Sequence, residues 1–185
     1  MWDVRANVGR FSFCAGLSGS VLAIEPDLWL AHLLQHSARR LARGRRSTAA
    51  PVAVVCAAVA EQTGVSELQI AERGRAANHL GEIRGSSQVG GNRYSQETIT
   101  VSLDFLLEHF PPPSVVKSDA EAAEVQVLRG PARLLRTARP IIWCEFRRRT
   151  PKPWQSCCMS IATRFATLHY LPLSAQRCVA PHGTR

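Results

Sequence analysis

Apolar positions in this sequence gather into short runs separated by stretches of helical spacing. Met1–Val4 reads as the end of a buried strand, and Ala6-Asn7-Val8-Gly9 as a tight turn into a helix at Phe11–Leu17. Ser20–Ile24 is a continuous apolar run ending in Glu25 and Pro26, the pattern of a parallel strand buried on both faces. Asp27 caps the next helix, whose Leu30, Leu33, Leu34, Ala38 and Leu41 recur at helical spacing up to the basic Arg39–Arg46 stretch. Val52–Cys56 is a further strand, and Val65–Ile70 alternates. Gly74–Gln96 is polar, Gly-rich and aperiodic, and reads as a long functional loop. Thr98–Leu103 alternates again, and Pro111-Pro112-Pro113 stops a short helix at Asp104–His109. Ser114–Ser118 is a strand ending in Asp119, Glu121–Leu135 a helix with Val125, Leu128, Ala132 and Leu135 on one face, and Pro140–Glu145 the last strand. The succession predicts an open, mostly parallel α/β sheet flanked by helices.

At 185 residues the chain predicts one domain, or one domain with an appendage, and its 45% hydrophobic content is enough for a core. No apolar run reaches the roughly 18 residues of a membrane span. Net charge is +9, but all of the 23 basic residues except Lys117 and Lys152 are arginines, a skew that reflects base composition more than a phosphate-binding surface. The charge is uneven. Residues 146–185 carry Arg147, Arg148, Arg149, Lys152, Arg164, Arg177 and Arg185 with no Asp or Glu, and show no sustained period. The expected organisation is a domain at 1–145 and a poorly ordered basic tail at 146–185. Six irregularly spaced cysteines do not make a disulfide framework and predict a reducing compartment, the cytoplasm.

In open α/β sheets ligands bind beyond the carboxyl ends of the strands, where strand order reverses. That edge should collect Asp3, the Asn7–Gly9 turn, Glu25 and Asp119. First strand, turn and second-strand acid have the spacing of a nucleoside-binding βαβ unit, although one glycine is not a dinucleotide fingerprint. On spacing alone a nucleoside site and an ordinary α/β core both stay open.

Four segments in order narrow the choice. Asp3-Val4-Arg5-Ala6-Asn7-Val8-Gly9 resembles the Asp-hydrophobic-Gly-Ala-Asn-x-Gly opening of the FkbM-family methyltransferases, and Ala23-Ile24-Glu25-Pro26 resembles their second-strand end. Asn78-His79-Leu80 is similar to a segment of their middle loop. Val116-Lys117-Ser118-Asp119-Ala120-Glu121-Ala122-Ala123-Glu124 is similar to their Lys-Ile-Asp-Val-Glu-Gly-Ala-Glu signature, and Val127–Gly130 and Arg139-Pro140 follow. The resemblance covers about residues 2–145. It implies a class I, Rossmann-like methyltransferase fold that binds S-adenosylmethionine and methylates a hydroxyl of a small molecule or sugar.

Carried over by position, Asp3, Ala6, Asn7 and Gly9 would form the loop under the cofactor, and Glu25 would hold the ribose hydroxyls. Asp119 and Lys117 would face the methionine moiety and acceptor, with Asp119 and His79 as candidate bases. Glu124 reads as a helix-opening acid favoured by the dipole. The departures are Arg5 and Ala122 where the family has Gly, Ser118 where it has Ile, a short first crossover, a start inside the first strand, and no visible closing antiparallel strand pair. The expectation is a degenerate or truncated member, the alternative a non-catalytic α/β remnant without cofactor binding. Weaker patterns point elsewhere: a leader at Arg5–Ala23, a metal site from Cys157, Cys158, Cys178 and His182, and nucleic-acid contact through Arg147-Arg148-Arg149 and Trp154. No metal site, membrane contact or nucleic-acid partner is expected.

Overall fold

The computed structural model describes residues 1–44, 51–72, 74–81, 91–119, 127, 131–144 and 165–167. The main sheet has six parallel strands in the order β10-β9-β8-β1-β2-β3: β1 (Trp2–Val4), β2 (Val21–Ile24), β3 (Val52–Val55), β8 (Val115–Ser118), β9 (Ile141–Cys144) and β10 (Phe165–Thr167). Strand order reverses at β1, whose neighbours are β2 on one side and β8 on the other, with Val4 level with Ile24 and with Ser118. β10 lies inside the basic 146–185 segment and pairs in parallel with β9.

Both faces are covered, which is why these strands read as unbroken apolar runs. On one face Trp2, Val4, Leu22, Ile24, Val116 and Ile142 pack with Leu103 and Leu106 of α3 (Leu103–His109), Val127, and Leu134 and Leu135 of α4 (Ala132–Thr137). On the other, Ala6, Ala23 and Leu34 form a smaller cluster beneath α1 (Arg10–Ala15) and α2 (Leu28–Gly44). Asp27 accepts from the amides of Trp29 and Leu30 and so caps α2, as its position predicts. Along α2, Leu30 and Leu34 are buried, but Leu41 is 44% exposed. The 17-residue helix is about 25 Å long against about 13 Å for a four-residue strand, so its end outruns the sheet.

A second sheet departs from the sequence expectation. It has the order β4-β7-β5-β6, from β4 (Ala58–Val59), β5 (Gly64–Ala71), β6 (His79–Leu80) and β7 (Asn92–Val101). β5 and β7 are antiparallel from Gly64↔Thr100 to Ala71↔Asn92. The stretch read as a loop over Gly74–Gln96 therefore contains a 3-10 turn at Arg75–Ala77, β6 and the first half of β7; its residues 82–90 fall outside the description. Asn92–Ser95 are exposed, so no apolar period marks them as strand. The expected helix over Glu121–Leu135 is seen at Val127 and, after Pro131, in α4; Glu121 and Glu124 are not described.

Candidate active site at the strand-order switch

Just beyond β1, Arg5, Asn7 and Gly9 have φ of 61°, 54° and 82°. This left-handed path lets the amides of Arg5 and Ala6 both donate to Ile24 O, at 2.8 and 3.1 Å, folding the loop over the end of β2. Asn tolerates the left-handed region and Arg does so at a cost of about 1–2 kcal/mol. Gly9 is required by the chain's own packing. A Cβ there would fall 2.5 Å from Leu34 Cδ2 and 2.5 Å from Phe13 Cε2.

Glu25, 2% exposed, stands at the end of β2. Its Oε2 accepts from Asn7 N at 2.8 Å and its Oε1 from Asp27 N at 3.0 Å, so the β1 loop and the start of α2 meet on this carboxylate. Burial raises its pKa, opposed by those two amides and by the positive charge of Arg5. Cys56 follows β3, and burial together with the charges of Glu25 and Asp27 pushes its thiol up, keeping it protonated.

Asp3 is fully buried within β1. Its Oδ2 accepts from Ser12 Oγ at 2.6 Å, and its Oδ1 faces Lys117 Nζ across 3.2 Å. Lys117 also donates to Arg5 O at 3.4 Å and lies 5.1 Å above the Phe11 ring, which meets Trp143 edge-on. The pair joins β1, β8 and α1. Lys117 is thus engaged in positioning the loop.

The Arg5 side chain crosses the switch. Its Nη1 donates to Asp119 O at 3.2 Å and its Nη2 to Asn78 O at 2.6 Å. Asn78 is itself buried: its Nδ2 donates to Asp27 Oδ2 at 2.8 Å and its Oδ1 accepts from Ala71 N at 3.0 Å. Asp27 Oδ2 also receives Arg75 Nη1 at 2.6 Å, and the Arg75 guanidinium lies 4.9 Å over the Trp29 ring. These bonds tie the second sheet to the carboxyl edge of the first. Arg5, Asn78 and His79, with Val4, Pro26, Val59 and Leu68 among others, line a cavity of about 40 Å³, room for a water or two. His79 is half-buried, and its Nδ1 is buried with no hydrogen-bond partner among the described residues.

The structure brings Asp3, Ala6, Asn7, Gly9, Glu25, Lys117 and Asp119 together around the ends of β1, β2 and β8. His79 reaches the same edge through Asn78. Asp27 was legible only as a helix cap, and Arg75 was hidden in a stretch without period; neither carries a spacing signal for the network they form. Ser118 Oγ is buried without a partner among the described residues, the strain expected of a hydroxyl in place of an alkyl group. Cys157, Cys158, Cys178, His182, Arg147–Arg149 and Trp154 lie outside the described residues.

A family model described as the methyltransferase FkbM domain matches residues 3–170, past the compositional break at Phe146. No curated protein matches the chain. The crystal structure of methyltransferase FkbM from Methylobacillus flagellatus KT superposes with a TM-score of 0.51 at 19% identity, over 76% of this chain and 30% of that one. That likeness is one of fold, and the chain spans less than a third of that protein's length.

Proposed function

The chain belongs to the methyltransferase FkbM domain family, and we propose that it binds S-adenosylmethionine over the ends of β1, β2 and β8 and passes the methyl group to a hydroxyl of a small molecule or sugar. The observation that carries this reading is Glu25, a buried carboxylate at the end of the strand next to the order switch. The donor set suits such a ligand. Glu25 spends one contact per oxygen on backbone amides, and each oxygen keeps a lone pair for a ribose hydroxyl. Asn7 and Gly9 hold the loop that would lie beneath it.

The bound cofactor supplies an already electrophilic methyl on its sulfonium, so the protein's task is alignment and acceptance of one proton. Lys117, fixed on Asp3, braces the Arg5 carbonyl and so the loop. Asp119, at the end of β8, and His79, whose Nδ1 has no partner among the described residues, are the groups available to accept the hydroxyl proton. The proposed setting is cytoplasmic, from cysteine usage; among the described residues no helix is long and apolar enough to cross a membrane.

Calorimetric titration with S-adenosylhomocysteine tests the reading. Wild type should bind and Glu25→Ala should bind at least about tenfold more weakly; a folded wild-type chain that takes up no ligand overturns it. One observation favours a second reading, a scaffold without cofactor: the Arg5 guanidinium spans the crevice and lines a small cavity there. The same titration decides between them.

A further inference from the structure

The two helical faces of the main sheet differ in charge. On one, Asp104 and Glu108 of α3 stand against α4, and the Arg133 guanidinium donates to Glu108 Oε1 at 3.0 Å. The other is formed by α1 and α2. Between residues 4 and 60 the chain has only two acids, Glu25 and Asp27, and both are buried at the carboxyl edge. This segment therefore gives its outward side no carboxylate at all. An arginine-rich composition is common to both faces and does not account for the contrast.

α2 gathers the positive groups onto one side. At 3.6 residues per turn His32, His36, Arg39, Arg40 and Arg43 share an arc of about 100°, opposite the buried Leu30 and Leu34. All five are exposed. No ion pair or side-chain hydrogen bond among the described residues engages the three arginines. The same face also shows apolar groups, for Leu28 and Trp29 at the start of α2 and Leu17 just after α1 are each more than half exposed.

That combination selects the partner. A nucleic-acid backbone would satisfy the arginines but leave the leucines in water. The headgroup layer of a bilayer takes both, arginine at the phosphates and Trp and Leu at the boundary with the acyl chains. From sequence no membrane contact is expected, since no apolar run is long enough to span; the separation of charge between the two faces is what points to one.

We propose that the α1–α2 face docks on the surface of an anionic phospholipid bilayer, with Arg39, Arg40 and Arg43 at the lipid phosphates and Leu28 and Trp29 in the boundary layer. The contact is peripheral and needs no bound cofactor. Leu28 and Trp29 follow directly on Glu25 and Asp27, so docking sets the carboxyl edge of the main sheet beside the headgroups.

The test is binding of the full chain to phosphatidylcholine vesicles with and without about one-third phosphatidylglycerol, beside binding to a single-stranded DNA oligomer. Wild type should bind the anionic vesicles at least about tenfold more tightly than the neutral ones, and the difference should shrink as salt rises. Replacing Arg39→Gln and Arg43→Gln together should weaken that binding about tenfold or more. The same loss of charge on the opposite face, Arg136→Gln with Arg139→Gln, should leave it within about twofold. Brominated acyl chains should quench tryptophan fluorescence of wild type more than that of Trp29→Phe, and circular dichroism checks that each variant is folded. Absent binding to anionic vesicles overturns the proposal, as does an equal loss in the two double variants, which would make net charge the cause. Quenching unchanged by Trp29→Phe, or tighter binding of the oligomer than of the anionic vesicles, overturns it too.

Discussion

Arg5, Asn7 and Gly9 share a left-handed backbone yet should answer differently to substitution. Gly9→Ala combines the conformational cost with a Cβ driven into Leu34 and Phe13, and should destabilise the chain by about 2–4 kcal/mol, read from urea unfolding. Arg5→Gly relieves about 1–2 kcal/mol of backbone strain but gives up two hydrogen bonds of about 1 kcal/mol each. Its unfolding free energy should therefore stay within about 1 kcal/mol of wild type. Glu25 sets a pH dependence. Burial raises its pKa in the fold, so the folded chain keeps this proton to higher pH than the unfolded chain does. The stability Glu25 contributes is full below its unfolded pKa and is lost as pH rises through the folded one. Unfolding of wild type and Glu25→Gln across roughly pH 4 to 7 should show the comparison turning against wild type with rising pH; a constant difference would contradict the assignment.

At the scale of elements, continuous apolar runs and alternating ones went to different sheets. Val21–Ile24 and Val115–Ser118 became parallel strands covered on both faces and Val52–Val55 a half-buried parallel edge strand, whereas Val65–Ile70 and Thr98–Val101 became an antiparallel pair with one face to solvent. The types were written in the pattern, but the second sheet was not, because half of β7 is exposed and β6 has only two residues. Asp27 is where the two sheets depend on one side chain. It caps α2, receives Arg75 and receives Asn78. Asp27→Ala should cost about 2–4 kcal/mol in unfolding free energy, more than the roughly 1 kcal/mol of a cap alone. Asp27→Asn keeps a capping oxygen and should cost less. A loss of cap size only for Asp27→Ala would mean that Arg75 and Asn78 hold their places without it.

For the molecule as a whole, the carboxyl edge of the main sheet could be placed from sequence because the β1 loop, Glu25 and Asp119 follow directly on strands that the apolar pattern locates. What lies above that edge could not. Arg5 reaches Asn78 over a separation of 73 residues, a contact that no local period encodes. The most direct test of the central claim, that the ends of β1, β2 and β8 form a nucleoside-binding crevice, is amide hydrogen exchange of the full chain with and without S-adenosylhomocysteine. The account predicts slowed exchange at residues 5–9, 25–28 and 117–119, with the exposed start of β7 at 92–95 unchanged. Protection confined to other segments, or none at a saturating ligand concentration, would contradict it.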